Sequence, residues 1–482
     1  MPDHKQTIED VAVTRREFLS RCGMGFGGLG LTMMMSESGL LVPLPKAGAE
    51  EAASLAPRLA PLPAKAKHVI HIFTSGAPSH LDTFDYKPAL AKFKGKKVTA
   101  GSAKGQPMDP NASAMPSPFK FERHGKSGIP ISEIFPRLAT HADEMCVINS
   151  MYTDIPAHDQ AQLLMNCGTA RFVRPSMGSW VTYGMGTENQ SLPGFISMSP
   201  GGMPLLGAQN WNSGFLPGIY QGTFIDSNQT NIEKLIEHIK SGYSTLAEQR
   251  QQLDLLHEVN DSYKERVKQD SQLEARVQSF ELAFQMQEEA AKAFDITQEP
   301  ENILKMYGEG AQARQMLIAR RLVERGVRFV QCWQDGWDTH SNLEGTLRNL
   351  AKDSDQAISA LLTDLKQRGL LENTLVIWGG EFGRTPTAQG GLGGGGKPDG
   401  RDHNSGAFSM WMAGGGVKGG YVHGATDELG FAAVKDRVHV HDLHATILRL
   451  LGFDHERFTY RYAGRDFRLT DVYGKVVKEI IA

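Results

Sequence analysis

The chain has 482 residues, of which 51 are basic and 54 acidic, with a formal charge of −3. This length exceeds the roughly 250 to 300 residues at which one hydrophobic core stops growing, so we expect two domains or one large domain with an insertion. The near balance of charges provides no basic stripe, which argues against a role in binding nucleic acid or another polyanion.

The N-terminal segment predicts export. Residues 14–20 read TRREFLS, where two arginines precede Phe-Leu, and a glycine-rich apolar stretch follows. This order is typical of a twin-arginine signal, and its apolar part, about 14 residues, is shorter than the roughly 20 that span a membrane. The small residues at 47–49 suit cleavage. We therefore expect a signal peptide over residues 1–49, no transmembrane span, and a periplasmic or secreted protein.

Cysteine usage adds little constraint. Cys22 lies in the predicted signal, which leaves Cys146, Cys167 and Cys332 in apolar or mixed surroundings. An odd number of such cysteines predicts no disulfide framework.

The folded domain is predicted to follow a linker rich in proline and alanine at residues 50–67. HVIHIFTSG, from residue 68, is typical of an interior strand and opens a domain that we expect to cover residues 68–482. From about residue 245 to 300 the composition favours long helices, because Gln, Glu, Leu, Ala and Lys dominate. We interpret this stretch as a helical insertion beside the sheet.

The second half of the chain predicts a parallel sheet. The apolar segments RFVQCW (328–333) and NTLVIWGG (373–380) flank a helical stretch, which together form a βαβ unit. AFSMWMAGG (407–415) predicts another strand. HDLHATILRLLG (441–452) predicts a helix with Asp442 as its N-cap.

Ligands of open parallel sheets bind beyond the carboxyl ends of the strands. The charged and imidazole side chains next to these ends are His80, Asp82 and Asp85 after the first strand, Asp338 and His340 after RFVQCW, Glu381 and Arg384 after NTLVIWGG, and Asp402 and His403 before AFSMWMAGG. Carboxylates and imidazoles that converge in this way suit a divalent metal ion. Asp338 and His340 are most simply two ligands of one ion.

Several of these residues have a structural alternative. Asp82 could belong to a capped turn, since acidic residues after strands often fill that role. Glu381 and Arg384 could form an internal ion pair instead of contacting metal and substrate.

Five motifs, taken in order, resemble one family. They are SGAPSHLDTFDYKP, GWDTHSN, GGEFGRTP, GRDHN and the C-terminal HDLHATILRLLGFDHERFTYRYAGRDFRLTDV. Together they resemble the twin-arginine-exported domain-of-unknown-function family 1501, of the alkaline phosphatase-like and sulfatase-like superfamily, from His68 to the C-terminus. The resemblance implies a doubly wound α/β sandwich, with a mostly parallel sheet between helices and a metal centre at the strand ends.

The resemblance also implies a ligand set. Asp338, His340 and His403 match the trio that holds one superfamily ion, while Asp82, His80 and Glu381 are candidates for completing the site, with Asp402 beside His403. Glu381-Phe382 stands where superfamily members place an Asp-His pair. Zinc, calcium, manganese and magnesium all remain open as the ion.

The catalytic residues follow from the same resemblance. IPAHDQAQLLMNCG (155–168) is similar to the segment in which a hydroxyl nucleophile begins a helix, and His158 occupies that position. His158 could form a phosphoimidazole, bind metal, transfer protons, or simply hydrogen-bond a loop. Arg384 is expected to bind an anionic group, for which its planar fork is suited.

Two functions are therefore open. The first is an extracytoplasmic metal-dependent hydrolase of phosphate, sulfate or related esters, with a small anionic ester or a sulfated or phosphorylated saccharide as substrate. The second is a non-catalytic envelope protein that keeps the fold and a structural metal and binds a saccharide or an envelope protein partner.

The export prediction can be tested by changing Arg15 and Arg16 together to Lys. We expect uncleaved precursor to accumulate inside the cell, because the export receptor reads the arginine pair. Immunoblots of cell fractions give the ratio of precursor to mature protein. Normal processing of the double variant would contradict the signal assignment.

Overall fold

The computed structural model describes residues 55–99, 112–231, 235, 245–266, 271–390 and 398–482. The predicted signal peptide and the first residues of the predicted linker lie outside this part of the chain. Among the described helices, none combines the length and the apolar character that a membrane crossing requires.

The described helices are α1 (His80–Thr83), α2 (His158–Cys167), α3 (Met177–Met185), α4 (Leu246–Arg266), α5 (Ser271–Phe294), α6 (Glu301–Tyr307), α7 (Ala311–Glu324), α8 (Leu343–Gln367) and α9 (Val440–Leu450). The described strands are β1 (His68–Thr74), β2 (Phe121–His124), β3 (Ile129–Ser132), β4 (Met145–Tyr152), β5 (Phe195–Ser199), β6 (Thr223–Asp226), β7 (Phe329–Gln334), β8 (Thr374–Gly379), β9 (Gly383–Gly390), β10 (Pro398–Asn404), β11 (Phe408–Ala413), β12 (Tyr421–His423), β13 (Ala425–Thr426), β14 (Ala433–Lys435), β15 (Val438–His439), β16 (Tyr460–Tyr462) and β17 (Arg465–Phe467).

The central sheet has nine strands in the order β12-β4-β11-β8-β1-β7-β5-β6, with β15 also paired to β4. Its neighbouring strands run parallel except for β11, which is antiparallel to both β4 and β8. The predicted βαβ unit is confirmed as β7-α8-β8, with β1 between its two strands. The carboxyl ends of β1, β4, β7 and β8 therefore share one edge, and β11 begins at that edge.

Side chains of the sheet alternate between two hydrophobic cores. In β1, Ile70 and Ile72 face the core built with α7 and α8, whereas Val69 and Phe73 face the core built with α2, α3 and α9. All four are completely buried, and each contributes about 1.5 to 3 kcal/mol by leaving water. Helices therefore cover both faces of a mostly parallel sheet, which confirms the predicted doubly wound α/β fold.

The stretch predicted as a helical insertion contains α4 and α5. The end of α5 belongs to the core, since Ala293 and Phe294 are fully buried. The Arg321 guanidinium of α7 donates to the backbone oxygen of Ala293 at 2.9 Å. The predicted absence of disulfides also holds for the three described cysteines, which are free and buried.

The prediction of Asp442 as an N-cap was wrong. Helix α9 begins at Val440, and the His439 imidazole is the cap, accepting from the backbone N–H of His441 at 3.2 Å. Asp442 is the third helical residue and accepts from the backbone N–H groups of His439 at 2.9 Å and Lys475 at 2.7 Å. The helix starts earlier than predicted because β15 leads directly into it.

Acid should destabilise this core through His71, which is 1% exposed in β1 and whose ring nitrogens have no hydrogen-bond partner among the described residues. Burial lowers the pKa of His71 from 6.5 to about 3, so between these values the unfolded chain takes up a proton that the folded chain does not. Stability is thus lost as the pH falls below about 6.5.

We expect His71→Leu to remove this loss. The free energy of unfolding of the variant, measured relative to wild type, should increase by about 1.4 kcal/mol for each unit by which the pH falls from about 6 to 4. This slope corresponds to the binding of one proton. Urea unfolding at several pH values measures the difference. A difference that stays constant with pH would show that His71 is protonated in the folded protein.

Candidate metal centre

The sheet topology brings four segments together at one edge. Asp338 and His340 follow β7, Glu381 follows β8, and His158 begins α2 a few residues after β4. His403 lies in β10, which forms a hairpin with β9 just before β11. Because β11 runs antiparallel, the chain before it reaches the same edge as the chain after the parallel strands.

Three imidazoles converge on one carboxylate oxygen. The Oδ1 atom of Asp338 lies 3.0 Å from Nε2 of His340, 3.3 Å from Nε2 of His158 and 3.5 Å from Nε2 of His403. The Nε2 atoms of His340 and His403 are 3.0 Å apart. Ligand atoms of His158, Asp338 and His403 all lie within 4.8 Å of one another, as one ion would require.

Each of the three rings is also held through its other nitrogen, Nδ1, by an oxygen acceptor. These acceptors are Glu381 Oε1 for His158 at 2.6 Å, Gln389 Oε1 for His340 at 2.6 Å, and the backbone oxygen of Pro156 for His403 at 2.9 Å. An oxygen acceptor fixes the proton on Nδ1 and leaves the lone pair on Nε2. Metal-binding histidines are commonly oriented in this way.

The Nε2 lone pairs of His340 and His403 point at each other, and they repel unless a proton or a metal ion lies between them. With both rings neutral, the Nε2 atoms of His340 and His403 would face each other at 3.0 Å without a proton. A tetrahedral zinc ion with Zn–N bonds of about 2.0 to 2.1 Å separates its ligand atoms by about 3.3 Å. The Asp338 oxygen lies 3.0 to 3.5 Å from the three nitrogens, and the Nε2 atoms of His340 and His403 are 3.0 Å apart, so these pairs are close to the spacing around a divalent ion.

The electrostatics of the cluster agree with this fit. Burial works against ionisation of Asp338, but hydrogen bonds from the three histidines and the charge of Arg384 hold its pKa far below the usual range. Burial likewise opposes protonation of His158, yet Asp338 and Glu381 raise its pKa to about 9. The hydrogen bond to Asp338 raises the pKa of His340. The cluster attracts positive charge, which a metal ion or protons can supply.

Arg384 holds the carboxylate in place. Its completely buried guanidinium donates to Asp338 and to the backbone oxygens of Gly76, Ala77 and Arg401. Burial lowers the pKa of Arg384, and the charge of Asp338 opposes that shift. Because oxygen atoms of the protein accept the hydrogen bonds of its guanidinium, Arg384 is placed to position Asp338. The sequence predicted instead that Arg384 binds an anionic group.

Glu381 positions His158. Its Oε1 atom accepts from the His158 ring and, at 3.1 Å, from the backbone N–H of Gly76. Gly76 has φ +105°, and a Cβ there would lie 2.4 Å from the backbone nitrogen of Asp338. The turn after β1 therefore packs directly against both Glu381 and Asp338. The alternative that Glu381 pairs with Arg384 is replaced by the pair Asp338–Arg384.

Three further candidates have other contacts. Asp82 is fully buried and binds Arg401 at 2.7 and 3.2 Å, with a further hydrogen bond from Ser79. The His80 ring contacts the backbone oxygen of Gly430 at 3.0 Å. For both residues, the hydrogen bonds and ion pairs among the described residues do not include the histidine cluster. Asp402 accepts from the backbone N–H of His403 at 2.8 Å.

Several contributors were missed by sequence reasoning. Gln389 and Pro156 orient ligands, and the Phe382 ring packs against His158 and His403, with ring centroids 4.7 and 4.8 Å away. The only sequence signal was the position of Phe382 beside Glu381. Gln389 becomes visible only once β9 is paired with β10.

Family membership follows from a comparison with protein families. The profile described as "Protein of unknown function (DUF1501)" matches residues 66–481. The chain belongs to the DUF1501 family. A comparison with curated proteins finds no match for this DUF1501 protein.

Solved structures resemble the DUF1501 chain distantly. A sulfatase from Pseudoalteromonas sp. is 14% identical, with a TM-score of 0.33 over 92% of this chain and 73% of the sulfatase. The alkaline phosphatase from the Antarctic bacterium TAB5 is 10% identical, with a TM-score of 0.30 over 80% and 98%. A phosphonate monoester hydrolase from Silicibacter pomeroyi is 10% identical, with a TM-score of 0.35 over 82% and 76%.

The placement of Asp82 predicts a purely structural phenotype. Asp82→Ala leaves the Arg401 guanidinium buried without its carboxylate, so the free energy of unfolding should fall by about 3 to 5 kcal/mol. The ion content of the folded protein should not change. Replacing Arg401 by Met in the same chain should recover part of the stability. Denaturant unfolding and elemental analysis test both statements; an Asp82→Ala protein of normal stability that lacks the ion would make Asp82 a ligand.

Proposed function

We propose that this DUF1501 protein is an extracytoplasmic, metal-dependent hydrolase of phosphate, sulfate or related esters. Asp338, His340 and His403 would hold one divalent ion, with His158 as a fourth ligand. The observation that carries the proposal is the convergence of three Nε2 atoms, each with its Nδ1 held by an acceptor, on one carboxylate oxygen. Zinc suits a site with three nitrogens and one oxygen better than magnesium or calcium.

Exposure of the centre supports catalysis over a purely structural ion. The side chain of Asp338 is 45% exposed, whereas those of His340 and His403 are 13% and 19% exposed. Structural zinc sites are closed by their protein ligands, while catalytic sites keep a position open to water or substrate. With four protein ligands, the ion would take up water or substrate as a fifth ligand, and the exposed side of Asp338 is where that position would lie.

The chemistry divides between the ion and the chain. A bound divalent ion would polarise the ester oxygens and activate water. Arg384 would fix Asp338, and Glu381 would orient His158 as a ligand. Because Arg384 is occupied by protein acceptors, the charge of an anionic ester would have to be met by the metal centre itself.

The role of His158 changes accordingly. The sequence resemblance placed it where superfamily members have a nucleophile. Its Nδ1 contacts Glu381 and its Nε2 lies 3.3 Å from Asp338, so both nitrogens face carboxylates of the cluster. This geometry favours metal binding over covalent catalysis by the ring.

The organisation that accompanies this proposal is a signal peptide over residues 1–49, a linker over 50–67 and a hydrolase domain over 68–482. A second candidate function is a non-catalytic envelope protein that binds a saccharide or a protein partner through the same metal. The specific observation in its favour is that the nucleophile position carries His158 and not a hydroxyl. Activity measurements separate the two.

The test uses exported wild type, His340→Ala, and His124→Ala as a matched control on the distant strand β2. We expect wild type and the control to carry about one equivalent of zinc per chain, and His340→Ala to lose at least nine tenths of it, because one of four ligands is gone. Elemental analysis of protein purified without added metal or chelator gives the ratio.

Turnover is measured on the same samples with phosphate and sulfate monoesters. The hydrolase proposal predicts turnover that disappears in His340→Ala and after chelation, and that returns when zinc is added to wild type. A protein that keeps its ion but hydrolyses none of these esters would support the binding role. A folded, active wild type without an ion would overturn the metal centre.

A further inference from the structure

A pocket of about 290 Å³ lies at the edge of the sheet opposite the candidate metal centre. Its walls come from the chain just before β1, the last turn of α9 and the C-terminal segment. The lining residues are Lys65, Arg449, Leu450, Val476, Lys478 and Ile481. Because Lys65 closely precedes β1, the pocket lies where the parallel strands begin, whereas the histidine cluster lies at their carboxyl ends.

Backbone contacts set the positions of these walls. The N–H groups of Lys65 and Ala66 donate to the backbone oxygen of Leu450 at 2.8 and 3.0 Å, which joins the segment before β1 to the end of α9. Ile481 forms a β-bridge with Val417, which follows β11 and so lies at the same edge of the sheet. The fold therefore shapes the pocket without help from a ligand.

Three lining side chains are cations without an acidic partner. Within the described ranges, Lys65, Arg449 and Lys478 form no ion pair with an Asp or Glu side chain, and no lining residue is acidic. Lys65 Nζ donates to the backbone oxygen of Ala482, and Arg449 Nη1 donates to that of Pro63 at 3.4 Å. In a chain with a net charge of −3, this pocket concentrates positive charge locally.

The end of α9 does not require these cations. Basic side chains often lie near a helix C-terminus because its last four carbonyl groups lack partners within the helix. In α9 these four oxygens all accept from backbone N–H groups: Ile447 from Leu451, Leu448 from Phe453, Arg449 from Gly452, and Leu450 from Lys65 and Ala66. The cationic side chains can therefore serve an acceptor from outside the chain.

The remaining lining of the pocket is aliphatic. Leu450 is 1% exposed, and Val476 and Ile481 are half-buried beside it. An inorganic anion gains nothing from aliphatic side chains, whereas an organic anion can bury its carbon skeleton against them. Ligand pockets usually measure roughly 300 to 1,000 Å³, so this one suits a small ligand.

We infer that the pocket lined by Lys65, Arg449 and Lys478 binds an organic phosphate, a phosphate group attached to a small apolar skeleton. A phosphate monoester carries nearly two negative charges at neutral pH, which suits three cations better than a single carboxylate charge does. The Arg449 fork can bind two phosphate oxygens, and the lysines add point charges. Soluble phosphate esters and phosphatidate headgroups share this chemistry. The site goes beyond the proposed hydrolase and does not depend on it.

The probe is phenylphosphonate, which has no ester bond to hydrolyse, titrated into exported protein and followed by calorimetry. Methylphosphonate is titrated in parallel, because it carries the same anionic group without the ring. We compare wild type with the double variant Arg449→Gln/Lys478→Gln, with Ile481→Ala and with Lys352→Gln. The last is the matched control, since Lys352 is an exposed lysine on α8. His340→Ala reports binding at the metal centre separately.

We expect wild type, Lys352→Gln and His340→Ala to bind phenylphosphonate in the pocket. The double variant should weaken this binding at least tenfold, and Ile481→Ala should reduce the preference for phenylphosphonate over methylphosphonate at least threefold. Thermal midpoints should stay close to that of wild type, because no ion pair of the fold is removed.

Three outcomes would overturn the pocket. They are no phenylphosphonate bound by wild type, equal affinity in the double variant and wild type, and binding that disappears only in His340→Ala, which would assign the ligand to the metal centre. A loss in Lys352→Gln as large as in the double variant would also contradict the site, because the effect would then come from general charge.

Vesicles decide the source of the phosphate group. Flotation compares phosphatidylcholine vesicles with and without phosphatidate. Binding that requires phosphatidate and disappears in the double variant would identify a lipid headgroup, whereas phenylphosphonate binding without vesicle binding would identify a soluble ester. Either result supports the phosphate site. An absence of ester hydrolysis by wild type would leave all these measurements unaffected, because neither probe is turned over.

Discussion

One buried guanidinium holds the candidate metal centre together. Arg384 is completely buried, and it is bound by the Asp338 carboxylate and by backbone oxygens from the turn after β1 and from β10. A charge in this position is tolerated only because every partner is present, and removing one partner of such a pair costs about 3 to 5 kcal/mol. Arg384 therefore fixes the Asp338 carboxylate, which lies next to three imidazoles. The same guanidinium joins the turn after β1 to β10.

The proposed metal centre depends on this fixed edge. The histidines come from separate parts of the chain, and each is oriented by an acceptor that belongs to another segment, as with His340 and Gln389 of β9. Such an arrangement pre-organises the ligands before an ion arrives, because little side-chain freedom remains to be lost.

Sequence reasoning recovered what is local or periodic. The strands β1, β7, β8 and β11 follow from apolar runs, and Asp338 and His340 could be selected because they come directly after one of them. The pairing of Asp82 with Arg401 spans 319 residues, and no local pattern marks it. The Asp442 cap was misplaced because a histidine can cap a helix as well.

The antiparallel direction of β11 has a consequence for how the site can change. The chain leaves β8, forms the β9–β10 hairpin and enters β11 at the same edge, so the hairpin never crosses the sheet. Its register places His403 opposite Arg384, which ties the ligand to the sheet, while Gln389 sits towards the far end. The hairpin therefore acts on the cluster at two points, because His403 pairs with Arg384 at one end and Gln389 holds the His340 ring towards the other, so any shift of β9 against β10 would move two imidazoles at once.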